Sequence, residues 1–235
     1  RDAGVYELLL APLFPHQAQA TTGSALKHAH KQLQEMGWKP VLSELKHFPA
    51  DPAFIEPLAE SIKPHLKDGG HLLFSYHGLP ISHVKRSDSS GKHCQKVDKC
   101  CILDVEANSS CYAHHCMLTT LSVVGALGID ESRWSISYQS RLGPAKWLEP
   151  STTNMVEKLA TEGKTNIVIA SPAFLADGLE TLEELDIEIR EHFIEHGGKE
   201  LSVVNCLNDD PNWIDGLGQL VTDAFRNHAV VDSVS

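Results

Sequence analysis

The order of apolar and polar positions alternates between two periods. Tyr6 to Leu10 is a short apolar run that predicts a strand, ending at Ala11-Pro12-Leu13-Phe14-Pro15. Ala25, Leu26, Ala29, Leu33 and Met36 then recur at three- and four-residue steps, which predicts a helix with one buried face, capped by Thr21 or Thr22. Gly37 closes it, Pro40 to Leu45 reads as a second strand, and Asp51-Pro52 opens a helix carrying Phe54, Ile55, Leu58 and Ile62. The same order returns later. Ile167 to Ala170 predicts a strand, a long helix runs to about His196, Leu201 to Asn205 is a strand, and Asp210-Pro211 opens the last helix. Pro12 and Phe14 recur as Pro172 and Phe174, an offset of 160 that also relates Gly37 to Gly197. Asp51-Pro52 and Asp210-Pro211 are related by 159. The chain therefore holds an internal repeat of a strand–helix–strand–helix unit.

Two further strands lie between the copies. Leu72 to Ser75 is apolar enough for a strand buried on both faces, and Trp134 to Gln139 is the other, with a helix from Leu118 to Leu127 between them. Strands alternating with helices imply a parallel sheet with right-handed crossovers. The expected class is α/β, with two similar Rossmann-like halves of which the first is incomplete. Residues 1–66 form the end of the first half, and 67–235 form the second with an insertion at 88–116. By the same repeat, the first half's two leading strands would fall upstream of Arg1. The expectation is that the 235-residue chain is a fragment, aggregation-prone and poorly active until the parent reading frame is restored.

Composition narrows the function classes. A net charge of −11 leaves no basic surplus for a nucleic-acid backbone. No run of eighteen apolar residues predicts a spanning helix, and a peripheral membrane contact is compatible with the sequence. A cytoplasmic setting is expected from the α/β pattern and charge. Oligomeric state is not legible.

Candidate chemistry gathers in three places. His77 should sit at the carboxyl end of its strand, where ligands of open α/β sheets bind, because Gly78 and Pro80 stop the strand. Asp177, Glu180, Glu184 and Glu188 step by three, four and four, and so share one face of a helix. Leu182, Leu185, Ile189 and Phe193 make the opposite, buried face. A solvated face is the ordinary fate of such acidic residues. Yet the equivalent stretch of the first copy, Thr21 to Ala29, has no carboxylate, so the repeat does not require the ridge. Carboxylates leading to an imidazole could pass on a divalent cation and accept protons. Third, five of the six cysteines fall between Cys94 and Cys116. Free surface thiols, a zinc site and a two-iron two-sulfur cluster all remain open, although the Cys-x2-Cys knuckles usual for zinc are missing.

Three ordered motifs resemble ferrochelatases, the enzymes that insert ferrous iron into a porphyrin. They are His77-Gly-Leu-Pro80, then Tyr138-Gln-Ser140 with Lys146-Trp-Leu-Glu-Pro150, and finally Phe174 to Glu184. Similarity runs from Tyr6 to the C-terminus and is interrupted at the cysteine-rich loop. The resemblance implies that His77 and Glu180 are the inner metal and proton-transfer residues. Glu184 and Glu188 would extend the metal path outward, and Gln139, Ser140 and Trp147 would line the porphyrin cleft. Gly178 replaces a histidine common in some relatives, so one outer ligand is absent. Some ferrochelatases also carry a two-iron two-sulfur cluster, which supports the cluster reading here. Adjacent cysteines seldom both reach one cluster, so either Cys100 or Cys101 is spare, and Cys94, Cys101, Cys111 and Cys116 are the favoured ligands. The implied activity is formation of protohaem from Fe²⁺ and protoporphyrin IX. Another tetrapyrrole metal chelatase, or an inactive iron–sulfur sensor or scaffold on the same fold, stands as the alternative.

Overall fold

A computed structural model describes residues 4–66 and 69–231. The strands are β1 (Glu7–Leu10), β2 (Val41–Glu44), β3 (His71–His77), β4 (Trp134–Gln139), β5 (Asn166–Ala170) and β6 (Glu200–Val203). The α-helices are α1 (Ser24–Glu35), α2 (Pro52–Ile62), α3 (Ile81–Ser87), α4 (Tyr112–Leu127), α5 (Thr152–Thr161), α6 (Leu179–Leu182), α7 (Arg190–Glu195) and α8 (Pro211–Val231). β1 and β2 pair in parallel as one sheet, and the other four strands form a second in the order β4-β3-β5-β6. Every pairing is parallel. The architecture is the expected mixed α/β one.

In the larger sheet β3 is central. The chain leaves it to β4 on one side and later returns to β5 on the other, so strand order reverses between β3 and β5. Such a switch point opens a crevice beyond the strand ends, and His77 is the last residue of β3. Alternation along β3 fills two cores. Leu72, Phe74 and Tyr76 join one with α2, α4 and Trp213 of α8, while Leu73 joins the other with α5, Ile189 and Phe193. Each fully buried Leu or Phe of these layers contributes roughly 1.5–3 kcal/mol.

The repeat is visible in the caps. Asp51 accepts from the Ala53 amide at 3.0 Å, and Asp210 accepts from the Asn212 and Trp213 amides at 2.9 and 3.1 Å. The two helices they open pack together. A Cβ at Gly216 of α8 would lie 2.3 Å from the Ala53 carbonyl of α2, so only glycine permits that crossing.

Three expectations change. Neither threonine caps α1: residues Gln19–Gly23 form a π-helical turn, and the Thr21 hydroxyl donates back to the Ala18 carbonyl at 3.4 Å. The face expected to be buried on α1 is mostly open, with Met36 52% exposed and only Leu33 buried. Among the described residues no helix stands beside α1 as α5 stands beside α7. Finally, α4 begins at Tyr112, six residues before the expected Leu118, and takes in Cys116; Cys111 is its N-cap residue.

Candidate active site and cysteine-rich loop

His77 is half-buried. Its Nδ1 lies 2.7 Å from the Gly78 carbonyl oxygen. That oxygen can only accept, so the ring hydrogen sits on Nδ1 and the Nε2 lone pair is left for a proton or a metal. The Tyr112 hydroxyl donates to the His77 carbonyl at 2.8 Å, and the Phe174 ring stands 6.2 Å from the imidazole. Gly78 lets the chain turn tightly at this point. A Cβ there would lie 2.7 Å from the Gln139 carbonyl oxygen and 3.3 Å from the Trp147 ring. The segment carrying Trp147 lies alongside, with Leu148 N–H donating to Leu79 and Ile81 N–H donating to Lys146. The indole Nε1 is enclosed without an acceptor among the described residues.

His77, Phe174, Tyr112, Leu79, Phe14 and His16 line a largely apolar cavity of about 170 Å³. A larger space of about 540 Å³ shares Ala18, Ala20, Leu79 and Tyr112 with it and adds His83 and Arg86 from α3. The two make one cleft between residues 14–21 and the region after β3. Burial, and then the neighbouring His115, lower the His16 pKa to about 3, so the wall beside His77 is uncharged near neutrality.

The carboxylates are not one ridge. Asp177 turns away: it accepts from the Asn208 amide group at 2.7 Å, from the Cys206 N–H at 3.2 Å and from the Thr181 hydroxyl at 3.0 Å. Burial pushes its pKa up, but those hydrogen bonds outweigh burial and hold it below the ordinary value. Glu184 accepts from both the amide (2.7 Å) and the hydroxyl (2.6 Å) of Ser140. Glu184 and Glu188 share a groove of about 480 Å³ with Gln139, Ser140 and the start of α5. Glu180 is tied through its backbone, its carbonyl accepting from Gln139 Nε2 at 2.8 Å. Gln139 is in turn fixed by the Ser75 hydroxyl at 2.8 Å.

Asp177 precedes α6, whose N-cap is Gly178, and beyond α6 the helix type changes. α6 ends at Leu182, Glu183 is distorted to φ −107° and ψ −58°, and Glu184–Ile189 is a π-helical turn closed by Glu188 N–H to the Glu183 carbonyl. A π turn places an extra residue in each loop, so four-residue steps no longer stack. Leu182, expected in the buried face, is therefore 55% exposed, whereas Leu185, Ile189 and Phe193 are buried.

In the loop before α4, Asp88 accepts from the Ser90 hydroxyl and from the Cys94 and His93 amides, bonds that hold its carboxyl well below the usual range. Asn108 Nδ2 donates to the Cys100 and Leu103 carbonyls at 2.6 and 2.7 Å, and His114 Nδ1 donates to that of Cys101 at 2.8 Å. These bonds fold the loop against the start of α4, where the five thiols influence one another electrostatically. Cys94, Cys100, Cys111 and Cys116 are buried, and the Cys100 and Cys101 sulfurs are 3.8 Å apart. Burial first, and neighbouring thiols second, push Cys94 up to about 11 and Cys101 up to about 12. By chemistry the thiols suit a cationic iron–sulfur or zinc centre, whose charge would relieve the repulsion between thiolates, although no three of the sulfurs are gathered at metal-binding spacing among the described residues. Tyr112 touches both regions, since its hydroxyl meets the His77 carbonyl and its ring lies one turn from Cys116.

Comparison with known proteins agrees with this geometry. A family model described as Ferrochelatase matches residues 1–225. The chain belongs to the ferrochelatase family. It is 40% identical over 220 residues to the ferrochelatase of Pseudomonas savastanoi pv. phaseolicola, covering 93% of this chain and 65% of that protein. It is 39% identical over 223 residues to the ferrochelatase of Bdellovibrio bacteriovorus, covering 94% and 65%. The chain thus spans about 65% of the length of these ferrochelatases. The solved structure described as SirB from Bacillus subtilis with Fe3+ superposes with a TM-score of 0.58 at 12% identity, over 95% of this chain and 73% of that one. That likeness establishes the fold, a chelatase-type α/β architecture. No helix among the described residues is long and apolar enough to cross a membrane.

The sequence did not single out Tyr112, His16 or α3 with His83 and Arg86. Tyr112 fell in the cysteine-rich stretch, and His16 acquires its place only through contacts made with α4. One signal was available: Tyr112 and Cys116 are one helical turn apart.

Proposed function

We propose that this ferrochelatase-family chain carries the site that inserts Fe²⁺ into protoporphyrin IX to give protohaem, forming metal–nitrogen bonds. The carrying observation is His77 at the sheet's switch point, with Nδ1 bound to Gly78 and Nε2 left open beside an apolar cleft. The chemistry needs such a group. Two pyrrole protons must leave as Fe²⁺ sheds its water and enters from one face of the ring. An imidazole with one free lone pair accepts a proton or holds the cation, and a carboxylate at Glu180 supports either role. Glu184 and Glu188 line the groove through which a hydrated cation would approach, and Ser140 orients Glu184 there. Gln139 and Ser140 line the carboxylate groove and Trp147 packs beside Gly78, where in this reading they would meet the edge of the porphyrin, while His83 and Arg86 in the cleft offer partners to porphyrin carboxylates. A planar apolar ring gains most of its binding from burial, which can also distort it and expose its nitrogen lone pairs.

The test is anaerobic incubation of the protein expressed from its full reading frame with Fe²⁺ and protoporphyrin, followed by absorption. Haem bands growing with time support the assignment. Tight porphyrin binding with no metal entry by any divalent ion would show an inactive relative instead.

In the same reading Cys94, Cys101, Cys111 and Cys116 hold a two-iron two-sulfur cluster, with Cys100 beside it. When bound, the cluster would cross-link the loop to α4; insertion itself moves no electrons, so no redox step is assigned to it. Anaerobically purified protein should be coloured, and Cys94→Ser, Cys111→Ser and Cys116→Ser should each bleach it. Stoichiometric zinc without inorganic sulfide would sink the cluster assignment.

A further inference from the structure

A second set of donor groups lies outside the strand-end site and the cysteine loop. Glu157 on α5, His192 on α7 and His196 at the C-cap of α7 bring one carboxylate oxygen and two imidazole nitrogens within 4.8 Å of one another. The frame beneath them is firm. Val156 and Leu159 of α5 share a buried core with Ile189 and with Phe193 of α7, so the three side chains project from two helices locked together. Glu157 and His196 are exposed and His192 is half-buried, which leaves the trio open to solvent on one side.

Two details separate this trio from a chance surface cluster. His196 Nδ1 is 2.8 Å from the His192 carbonyl oxygen, which can only accept, so the hydrogen lies on Nδ1 and Nε2 keeps its lone pair. Metal-ligating histidines are oriented in this way, with the second nitrogen bonded to a carbonyl. The second detail is His192 Nε2, which is enclosed and without a hydrogen-bond partner among the described residues. It faces Glu157 Oε2 at 3.8 Å, too far for a hydrogen bond. Ligand atoms held at about 2.0–2.2 Å around a tetrahedral ion stand roughly 3.4 Å apart, so a small contraction would seat a cation between them. The two imidazole rings already stand together, with centroids 4.2 Å apart.

Place adds to geometry. The start of α5 at Thr153 and Asn154, together with Glu188, lines the groove of about 480 Å³. Glu157 follows Asn154 by three residues on α5, and His192 follows Glu188 by four across the π turn into α7. Two imidazoles with one carboxylate suit borderline first-row metals such as zinc, iron or nickel, whereas magnesium and calcium prefer oxygen alone.

We propose that Glu157, His192 and His196 form a separate surface site for a first-row divalent transition-metal ion, with its remaining positions taken by water. It shares no residue with the strand-end site, and it does not depend on the chain's activity.

The probes are Zn²⁺ and Co²⁺ alone, titrated into the protein from its full reading frame by calorimetry and visible absorption. His196→Gln is the main variant because the side chain is exposed and its loss should not impair folding; Glu157→Gln is the second. Wild type should bind one more equivalent than His196→Gln, or bind that equivalent at least tenfold more tightly. Excess Mg²⁺ should not compete. The Co²⁺ complex should show ligand-field bands of nitrogen and oxygen donors that weaken by one site's share in His196→Gln while thiolate charge-transfer bands persist. Equal stoichiometry, affinity and bands in wild type and both variants would overturn the proposal. It would equally fail if Mg²⁺ displaced the ion, because the donors would then be acting only as carboxylate oxygen.

Discussion

The helices after β1 and after β5 occupy equivalent places in the repeat, and they are held in opposite ways. Thr22, Ala25, Ala29 and Leu33 of the first correspond, at an offset of 160, to Leu182, Leu185, Ile189 and Phe193 of the second. In the second copy Leu185, Ile189 and Phe193 are buried against α5 and the sheet. In the first, Ala25 is exposed, and its flanking loop is anchored by polar contacts instead. His16 Nε2 meets the Thr119 hydroxyl at 2.9 Å, the Gln17 N–H donates to His115 Nδ1 at 3.0 Å, and the His47 and His115 rings stack at 4.4 Å. One copy depends on apolar burial, which does not titrate. The other is joined to α4 by neutral histidines, which do. Each copy has a π turn, at Gln19–Gly23 and at Glu184–Ile189, but only the burial-held copy carries carboxylates on it.

Acid should separate the two copies most strongly. His115 accepts from Gln17 through Nδ1 and donates through Nε2 to the Ser109 carbonyl at 3.0 Å, so a second proton would displace the Gln17 bond. Burial first, then His47, lowers its pKa from 6.5 to about 4, and burial lowers His16 to about 3. The folded values lie below the unfolded ones, so the unfolded chain binds more protons on acidification. The stability these groups contribute is complete above pH 6.5 and is lost as pH falls toward 4, by at most about 1.4 kcal/mol per pH unit for each. Urea midpoints between pH 7 and 4.5 should fall steeply, and His115→Gln should flatten the curve. A pH-independent midpoint would break the comparison.

Core truncation should act on the second copy. Phe193→Ala should cost about 3–5 kcal/mol, while Ala25→Ser on α1 should stay within about 0.5 kcal/mol. Comparable losses at both positions, measured by denaturant unfolding, would show that α1 is as deeply packed as α7.

Among the carboxylates, Glu184→Gln should lower turnover more than Glu188→Gln, because Glu184 is fixed by two bonds from Ser140 and Glu188 is exposed. The effect of Glu188→Gln should be the smallest here, since water can take its place in the groove.

How far the sequence could be read follows from these same residues. The succession of strands and helices, the strand end at His77 and the Asp–Pro helix starts depend on local pattern and turn chemistry, and they were legible; the spatial order β4-β3-β5-β6 was not. The turn at Glu184–Ile189 was not legible, because a π-helical step is chosen by tertiary packing and the four-residue spacing reads as regular α-helix. Leu182 was misplaced for that reason. The exposure of α1 was missed because amphipathic spacing reports a face and not what covers it. Tyr112 and His16 matter through contacts 35 and 103 residues apart, beyond the reach of any local motif.

The central claim is that the end of β3 is the reacting centre, and His77→Ala tests it most directly. Fe²⁺ insertion should be followed anaerobically beside porphyrin binding by fluorescence quenching, using protein from the full reading frame. The account predicts that insertion is abolished while porphyrin affinity stays within about tenfold, roughly 1.4 kcal/mol, because His77 acts on the reaction and adds little buried area. Near-normal turnover in His77→Ala would contradict it and remove this strand end from the chemistry.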